Sequence, residues 1–295
     1  MIPKIIHWCW FGDSKMPMQL SAYQASWQKH LSGYEFRKWD EESFELTQHN
    51  FLRSALEHGA WAFAADYARA WALSQEGGIY LDTDIEIHES LDQYLTHAAF
   101  TGFEKKGSPF TAVWGSTPQH SLALRVLGIY NNLIYDPELK MELINTKLVS
   151  KLITEDYLIN PNLDEKQEGK DGLVVYPSTT FCLDLPRNSA THHFFGSWDL
   201  DPSNYAPYIM DLWHQDNFLM QFDKFSEEEI GSLGRLIFEK IGPETTADIL
   251  WNSESREIGV RYLLNSISSI ELIKRTGMTL FNRIIKKVTY FTHYD

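Results

Sequence analysis

The chain has 295 residues, 43 % of them hydrophobic and 14 % aromatic, enough for one large α/β domain or two small ones with a full core. A formal net charge of −14 sets it against phosphate backbones and argues against nucleic acid as a partner. The same repulsion means that a small diphosphate ligand needs local cations, either a bound metal or well-placed Arg and Lys.

Two cysteines, Cys9 and Cys182, are too few for a disulfide framework or a cysteine metal site and read as small core hydrophobes. The run Met1–His7 is too short and interrupted for a signal peptide. No stretch reaches the roughly 18 apolar residues of a membrane span. The cytoplasm is therefore the expected location.

In chain order, Lys4–Trp10 reads as a buried strand that opens into a loop at Phe11-Gly12-Asp13. A mixed helical pattern covers Gln19–Leu31, a strand follows at Tyr34–Trp39, and Asp40 is a good N-cap. Ala60–Gln75 is dense in Ala and carries Trp61, Phe63, Tyr67 and Trp71, the pattern of a buried helix, and Gly77-Gly78 ends it. Ile79–Ile87 alternates strictly and reads as one strand, with Tyr80, Asp82, Asp84 and Glu86 on one face. Ala98–Phe103 and Leu173–Tyr176 read as strands, Pro118–Leu133 and Leu148–Leu158 as helices, and Asn162–Gly172 as a polar loop. Such alternation predicts an α/β architecture with a mainly parallel sheet. From Leu272 to Phe291 the tail carries Lys274, Arg275, Arg283, Lys286 and Lys287 and no acid. It suits either an anionic membrane surface or a helix packed on an acidic body.

Asp82 and Asp84 carry the strongest chemical signal. Residues two apart on a strand lie about 6–7 Å apart on one face. Two carboxylates so placed repel each other, and a hard divalent cation such as Mg²⁺ or Mn²⁺ resolves the repulsion while bridging to phosphate oxygens. Taken alone, the pair also reads as two solvated strand-end acids. In the preceding helix, Asp66 and Arg69 share a face. Arg69 suits a phosphate or sugar hydroxyl and Asp66 can accept from sugar hydroxyls; the plainer reading is an intrahelical ion pair. Adjacent His192 and His193 cannot both point one way on a strand, so one of them at most ligates a metal.

Ile5-Ile6-His7-x-x-Trp10-x-Gly12, Asp66-x-x-Arg69, Gly77-Gly78-Ile79-Tyr80-Leu81-Asp82-Thr83-Asp84 and Ala190-Thr191-His192-His193-Phe194-Phe195-Gly196-Ser197-Trp198 together resemble the family 32 glycosyltransferases. These include bacterial capsular polysaccharide enzymes and yeast mannosyltransferases. The catalytic domains of large clostridial glucosylating toxins are similar at greater distance. The resemblance implies a GT-A fold, a Rossmann-like mainly parallel sheet flanked by helices, over 1–220 with donor binding in 1–105. A mainly helical extension over 221–295 would then contact acceptor or membrane. It also implies a retaining, metal-dependent transfer of a hexose from a UDP- or GDP-sugar, UDP favoured, to a glycan acceptor in surface polysaccharide synthesis. The acceptor is expected to be lipid-linked, with peripheral contact at the inner face of the membrane.

By the same resemblance Asp66 and Arg69 hold the transferred sugar, and Trp10 stacks on the base with Gly12 and Tyr80 around the donor; His7 either shapes the base pocket or is a buried strand histidine, the plainer reading. Asp84 and His193 ligate Mn²⁺ or Mg²⁺, His192 standing as second choice; Asp82 contacts metal, ribose or sugar; Ser197 and Trp198 close over the diphosphate. Asp184 is a further candidate site residue, and no residue stands out as a nucleophile. Two other readings remain. One is a phosphatase or phosphotransferase of the haloacid dehalogenase type, which also uses a strand-end Asp-x-Asp. The other is a non-catalytic nucleotide-sugar or carbohydrate-binding protein of the same fold.

Overall fold

The computed structural model describes residues 1–185 and 187–194, which lie in the first of the two units into which the chain divides, Met1–Pro202. Ser197, Trp198, the basic tail, the expected boundary at 220/221 and the extension beyond it lie outside the described residues.

Nine strands and six α-helices run in the order β1 (Ile5–Cys9), α1 (Met18–His30), β2 (Glu35–Trp39), α2 (Asn50–Glu57), α3 (Trp61–Glu76), β3 (Gly78–Leu81), β4 (Ile85–Ile87), β5 (Ala99–Gly102), β6 (Val113–Ser116), α4 (Ser121–Asn131), α5 (Asn145–Asp156), β7 (Gln167–Glu168), β8 (Leu173–Tyr176), α6 (Ser178–Phe181) and β9 (Ala190–His192) among the described residues. Seven strands form the central sheet in the order β2-β1-β3-β6-β5-β8-β7, and β4 pairs with β9 in a separate ribbon. β1 is parallel to β2 and β3, and β5 is parallel to β8; β6 and β7 run against their neighbours. Five of the seven strands therefore share one direction, the mainly parallel α/β sheet expected.

Side-chain alternation on these strands feeds two cores. On one face Cys9, Tyr80, Trp114, Leu173 and Val175 pack with α2, α3, α4 and α5 residues such as Leu52, Ala64, Ala68, Val126 and Ile153. On the other, Ile6, Ile79, Leu81, Phe100, Val113 and Val174 pack with Trp27 of α1, Ile85 and Ile87 of β4 and Phe181 of α6. The alanines of α3 let it lie close against the sheet: Ala64, Ala68, Ala70 and Ala72 are fully buried.

Gly77 ends α3 with φ +65° and Gly78 begins β3 with φ +102°. A Cβ on Gly78 would lie 2.7 Å from the Ile5 carbonyl oxygen and 2.9 Å from His7 Nε2. The double glycine thus permits both the reversal and the close seating of β3 on β1.

The expected single strand Ile79–Ile87 is two strands. β3 stays in the central sheet to Leu81, and the Asp82 amide still donates to the Ala112 carbonyl at 3.1 Å. The Ile85 amide then donates back to the Asp82 carbonyl at 3.1 Å, closing a turn at Asp82-Thr83-Asp84 from which β4 leaves for β9. Ile79, Leu81, Ile85 and Ile87 remain in one core, so the hydrophobic alternation survives the break and conceals it. The expected loop Asn162–Gly172 contains β7 and one 3₁₀ turn. α2 and the central strand β6 had no clear sequence signal, β6 being only four residues long.

Candidate active site

Parallel β1, β2 and β3 bring their carboxyl ends to one edge of the sheet, where ligands bind in open α/β folds. Beyond these ends lie the Trp10–Gly12 loop, the Asp40–Glu41 turn and the Asp82–Asp84 turn. α3 supplies Asp66 and Arg69, both buried (6 % and 7 % exposed). The Arg69 guanidinium reaches Asp66 Oδ1 at 2.7 Å and Asp82 Oδ1 at 3.1 Å through the same Nη2. It also lies 4.6 Å over the Tyr80 ring, and its buried Nε has no hydrogen-bond partner.

Asp82, Asp84 and His192 each offer a ligand atom, all within 4.8 Å of one another. No other such group of three occurs among the described residues. His192 Nε2 stands 3.4 Å from Asp84 Oδ2, and its buried Nδ1 has no hydrogen-bond partner. The oxygen-rich donor set with one imidazole suits a divalent cation such as Mn²⁺. Charge points the same way. Burial pushes the Asp66 carboxyl up to about 7, Arg69 opposing and Asp82 adding. Burial likewise raises Asp82, against the pull of Arg69 and with the push of Asp84. Burial by itself would lower His192, yet the adjacent Asp84 carboxylate outweighs it and holds the imidazole above its ordinary value. Without a cation Asp66 and Asp82 lean toward their protonated forms; a bound cation relieves the crowded carboxylates in the ionised form.

The histidine brought to the aspartates is thus His192. His193, expected as the ligand, turns its Nε2 to Glu86 Oε2 at 2.9 Å and stacks flat on Tyr23 of α1, with ring centroids 4.0 Å apart. Register decides this: β9 pairs His192 with Ile85, and His193, just past the strand, continues the pairing with its amide on the Asp84 carbonyl at 3.0 Å. Tyr80, expected around the donor, is buried beneath the site (2 % exposed), and His7 is the buried strand histidine of its plainer reading (0 % exposed). Trp39 Nε1 donates to His7 Nδ1 at 3.1 Å, so His7 Nε2 carries the proton and donates to the Gly77 carbonyl at 2.7 Å. Burial lowers this imidazole to about 4, which keeps it neutral. Tyr80 serves as the platform under Arg69.

Trp10 is half-buried, its Nε1 donating to the Ser14 carbonyl at 2.8 Å. The Gly12 amide donates to Glu41 Oε1 at 2.6 Å, and Gly12, at φ +81°, leaves room for the Trp61 ring, which a Cβ would meet at 3.0 Å. Trp61 (42 % exposed) and Glu41 were not singled out from sequence, because neither belongs to a motif. Glu86 was visible as the third acid on its strand face but had no assigned partner. Asp184 acts on Tyr23: burial raises that phenol, the Gln19 hydrogen bond opposes, and Glu86, Asp84 and Asp184 add.

A family model described as "glycosyltransferase sugar-binding region containing DXD motif" matches residues 17–101. An uncharacterized glycosyltransferase of Acanthamoeba polyphaga mimivirus is 31 % identical over 177 residues, covering 56 % of this chain and 69 % of the viral protein. The chain belongs to the DXD-motif glycosyltransferases. Inositol phosphoceramide mannosyltransferase 3 of Schizosaccharomyces pombe is 29 % identical over 136 residues, which are 43 % of this glycosyltransferase and 36 % of the yeast enzyme. Among solved structures, the PaToxG glycosyltransferase aligns with a TM-score of 0.40 at 12 % identity, over 52 % of this chain and 69 % of the other. A glycosyltransferase involved in glycosylation of the PBCV-1 major capsid aligns at 0.32 and 16 % identity, over 60 % and 84 %. For this glycosyltransferase, membership sets aside the phosphatase reading, and the Asp82–Asp84 turn is the DXD element of the family.

Proposed function

We propose that this glycosyltransferase moves a hexose from a nucleoside-diphosphate sugar, UDP favoured, to a glycan acceptor, with a divalent cation and with retention of anomeric configuration. The carrying observation is the convergence of Asp82, Asp84 and His192 within 4.8 Å beside the Asp66–Arg69 pair. Asp82, Asp84 and His192 would hold Mn²⁺ or Mg²⁺, which when bound neutralises the leaving diphosphate. Arg69 has a buried N–H to spare and reaches phosphate or sugar oxygens, while Asp66 orients it and accepts from sugar hydroxyls. Trp10 and the Gly12 loop receive the base at the β1 end, the indole offering a face that any flat base can stack on. Retention and a role in surface polysaccharide assembly rest on the family resemblance. No described helix is long and apolar enough to cross a membrane. We place the enzyme in the cytoplasm, with the basic Leu272–Phe291 segment contacting the inner membrane face and a lipid-linked acceptor.

A panel of UDP- and GDP-sugars, assayed for Mn²⁺-dependent nucleotide release, identifies the donor. Asp84→Ala should reduce release by about a thousandfold while leaving the far-UV circular dichroism unchanged. Wild-type rates in that variant with excess Mn²⁺ would overturn the assignment.

A further inference from the structure

The ribbon of β4 and β9 stands apart from the central sheet and pairs over only three residues on each strand, Ile85–Ile87 with His192–Ala190. A two-stranded ribbon this short is marginal by itself. Yet it carries the one histidine of the candidate cation site, while both aspartates sit on the turn at its other strand. Whatever fixes β9 against β4 therefore fixes the donor set.

Several contacts converge there. The His192 amide donates to the Cys182 carbonyl and the His193 amide to the Asp84 carbonyl, each at 3.0 Å. The His193 ring then bonds Glu86 of β4 at 2.9 Å on its edge and lies parallel to Tyr23 of α1 on its face, 4° between the planes. α1 is itself tied to β4: Trp27 Nε1 donates to the Ile85 carbonyl at 2.7 Å, and the Ile87 amide donates to Ser26 Oγ at 2.8 Å. His193 is thus in contact with the helix, the opposing strand and the Asp84 backbone at once.

We infer that His193 is a positioning residue, which through Glu86 and Tyr23 locks β9 in the register that turns His192 toward Asp82 and Asp84. The inference rests on the cation reading of that cluster. Each of the two neighbouring histidines then has its own acid: Asp84 faces His192 at the site, and Glu86 holds His193 outside it. A tie of this kind, one step removed from the ligand, sets how well the ligand is pre-aimed.

Two measurements on the full chain test it. Mn²⁺ titration by electron paramagnetic resonance should show affinity about tenfold weaker in His193→Ala and in Glu86→Gln, little further loss in the double variant, and no tight site in His192→Ala. His193→Gln, whose amide can still donate to Glu86, should recover part of the loss. In the metal-free protein, hydrogen exchange of the peptide spanning residues 187–194 should be about tenfold faster in His193→Ala and Glu86→Gln, with β3 unchanged. Tight Mn²⁺ binding that survives His192→Ala but not His193→Ala would make His193 the ligand and overturn the inference. Wild-type exchange in both single variants would also overturn it. Absence of Mn²⁺ binding in the wild type would sink the cation reading instead, and the exchange comparison would still decide the brace.

Discussion

At the residue scale, the site depends on charges that the protein holds under protest. Asp66, Asp82 and Asp84 crowd a single guanidinium and a single imidazole, and burial makes each additional negative charge costly. Beneath them His7 has the opposite character: it is neutral, fully buried, and both its nitrogens are bonded to protein. Its folded pKa of about 4 lies below the unfolded value of 6.5, so the unfolded chain binds the proton more readily. The stability contributed by a neutral His7 is therefore complete above pH 6.5 and is lost as pH falls from there through 4. Asp66, raised to about 7, tilts the profile the other way, because its folded form prefers the proton. Comparison with His7→Gln isolates the imidazole. In urea titrations the variant should be least stable relative to wild type above pH 6.5, and the gap should narrow by up to about 3 kcal/mol toward pH 4. A gap independent of pH would show that His7 keeps an ordinary pKa.

Among the elements, the decisive event is the junction from α3 into β3 and out to β4. α3 places Asp66 and Arg69 one turn apart. The double glycine reverses the chain, and β3 then runs only four residues before delivering Asp82 to the edge where β1 and β2 also end. Gly78 has no room for a methyl group against the Ile5 carbonyl and His7, and its φ of +102° disfavours any other residue. Gly78→Ala should destabilise the fold by about 2–4 kcal/mol, read as a lowered urea midpoint with unchanged slope. A midpoint within error of wild type would mean that β1 and β3 separate easily and that the junction does not set the site's geometry.

On the scale of the whole molecule, the candidate cation site joins a turn in the first third of the chain to a strand near residue 192, segments that only folding brings together. A cation that binds this arrangement and not the unfolded chain must stabilise the fold. Mn²⁺ at about a hundred times its Kd should add about 2.7 kcal/mol, seen as a rise in Tm that EDTA reverses and Asp84→Ala abolishes. An equal rise in that variant would place the cation elsewhere. Local pattern alone was enough to determine the α/β class, the helix ending at Gly77-Gly78, the Asp66–Arg69 face and the pair Asp82 and Asp84, because periodicity and spacing are properties of neighbouring residues. Tertiary structure decided the rest. It broke the strand at Asp82, since pairing with β6 ends there while the hydrophobic alternation continues. It inserted β6, four residues with too little pattern to be read. It buried Tyr80 under the site. Between two adjacent histidines it chose His192 for the aspartates and gave His193 to Glu86, because strand register, which no local spacing encodes, fixes which side chain faces which acid.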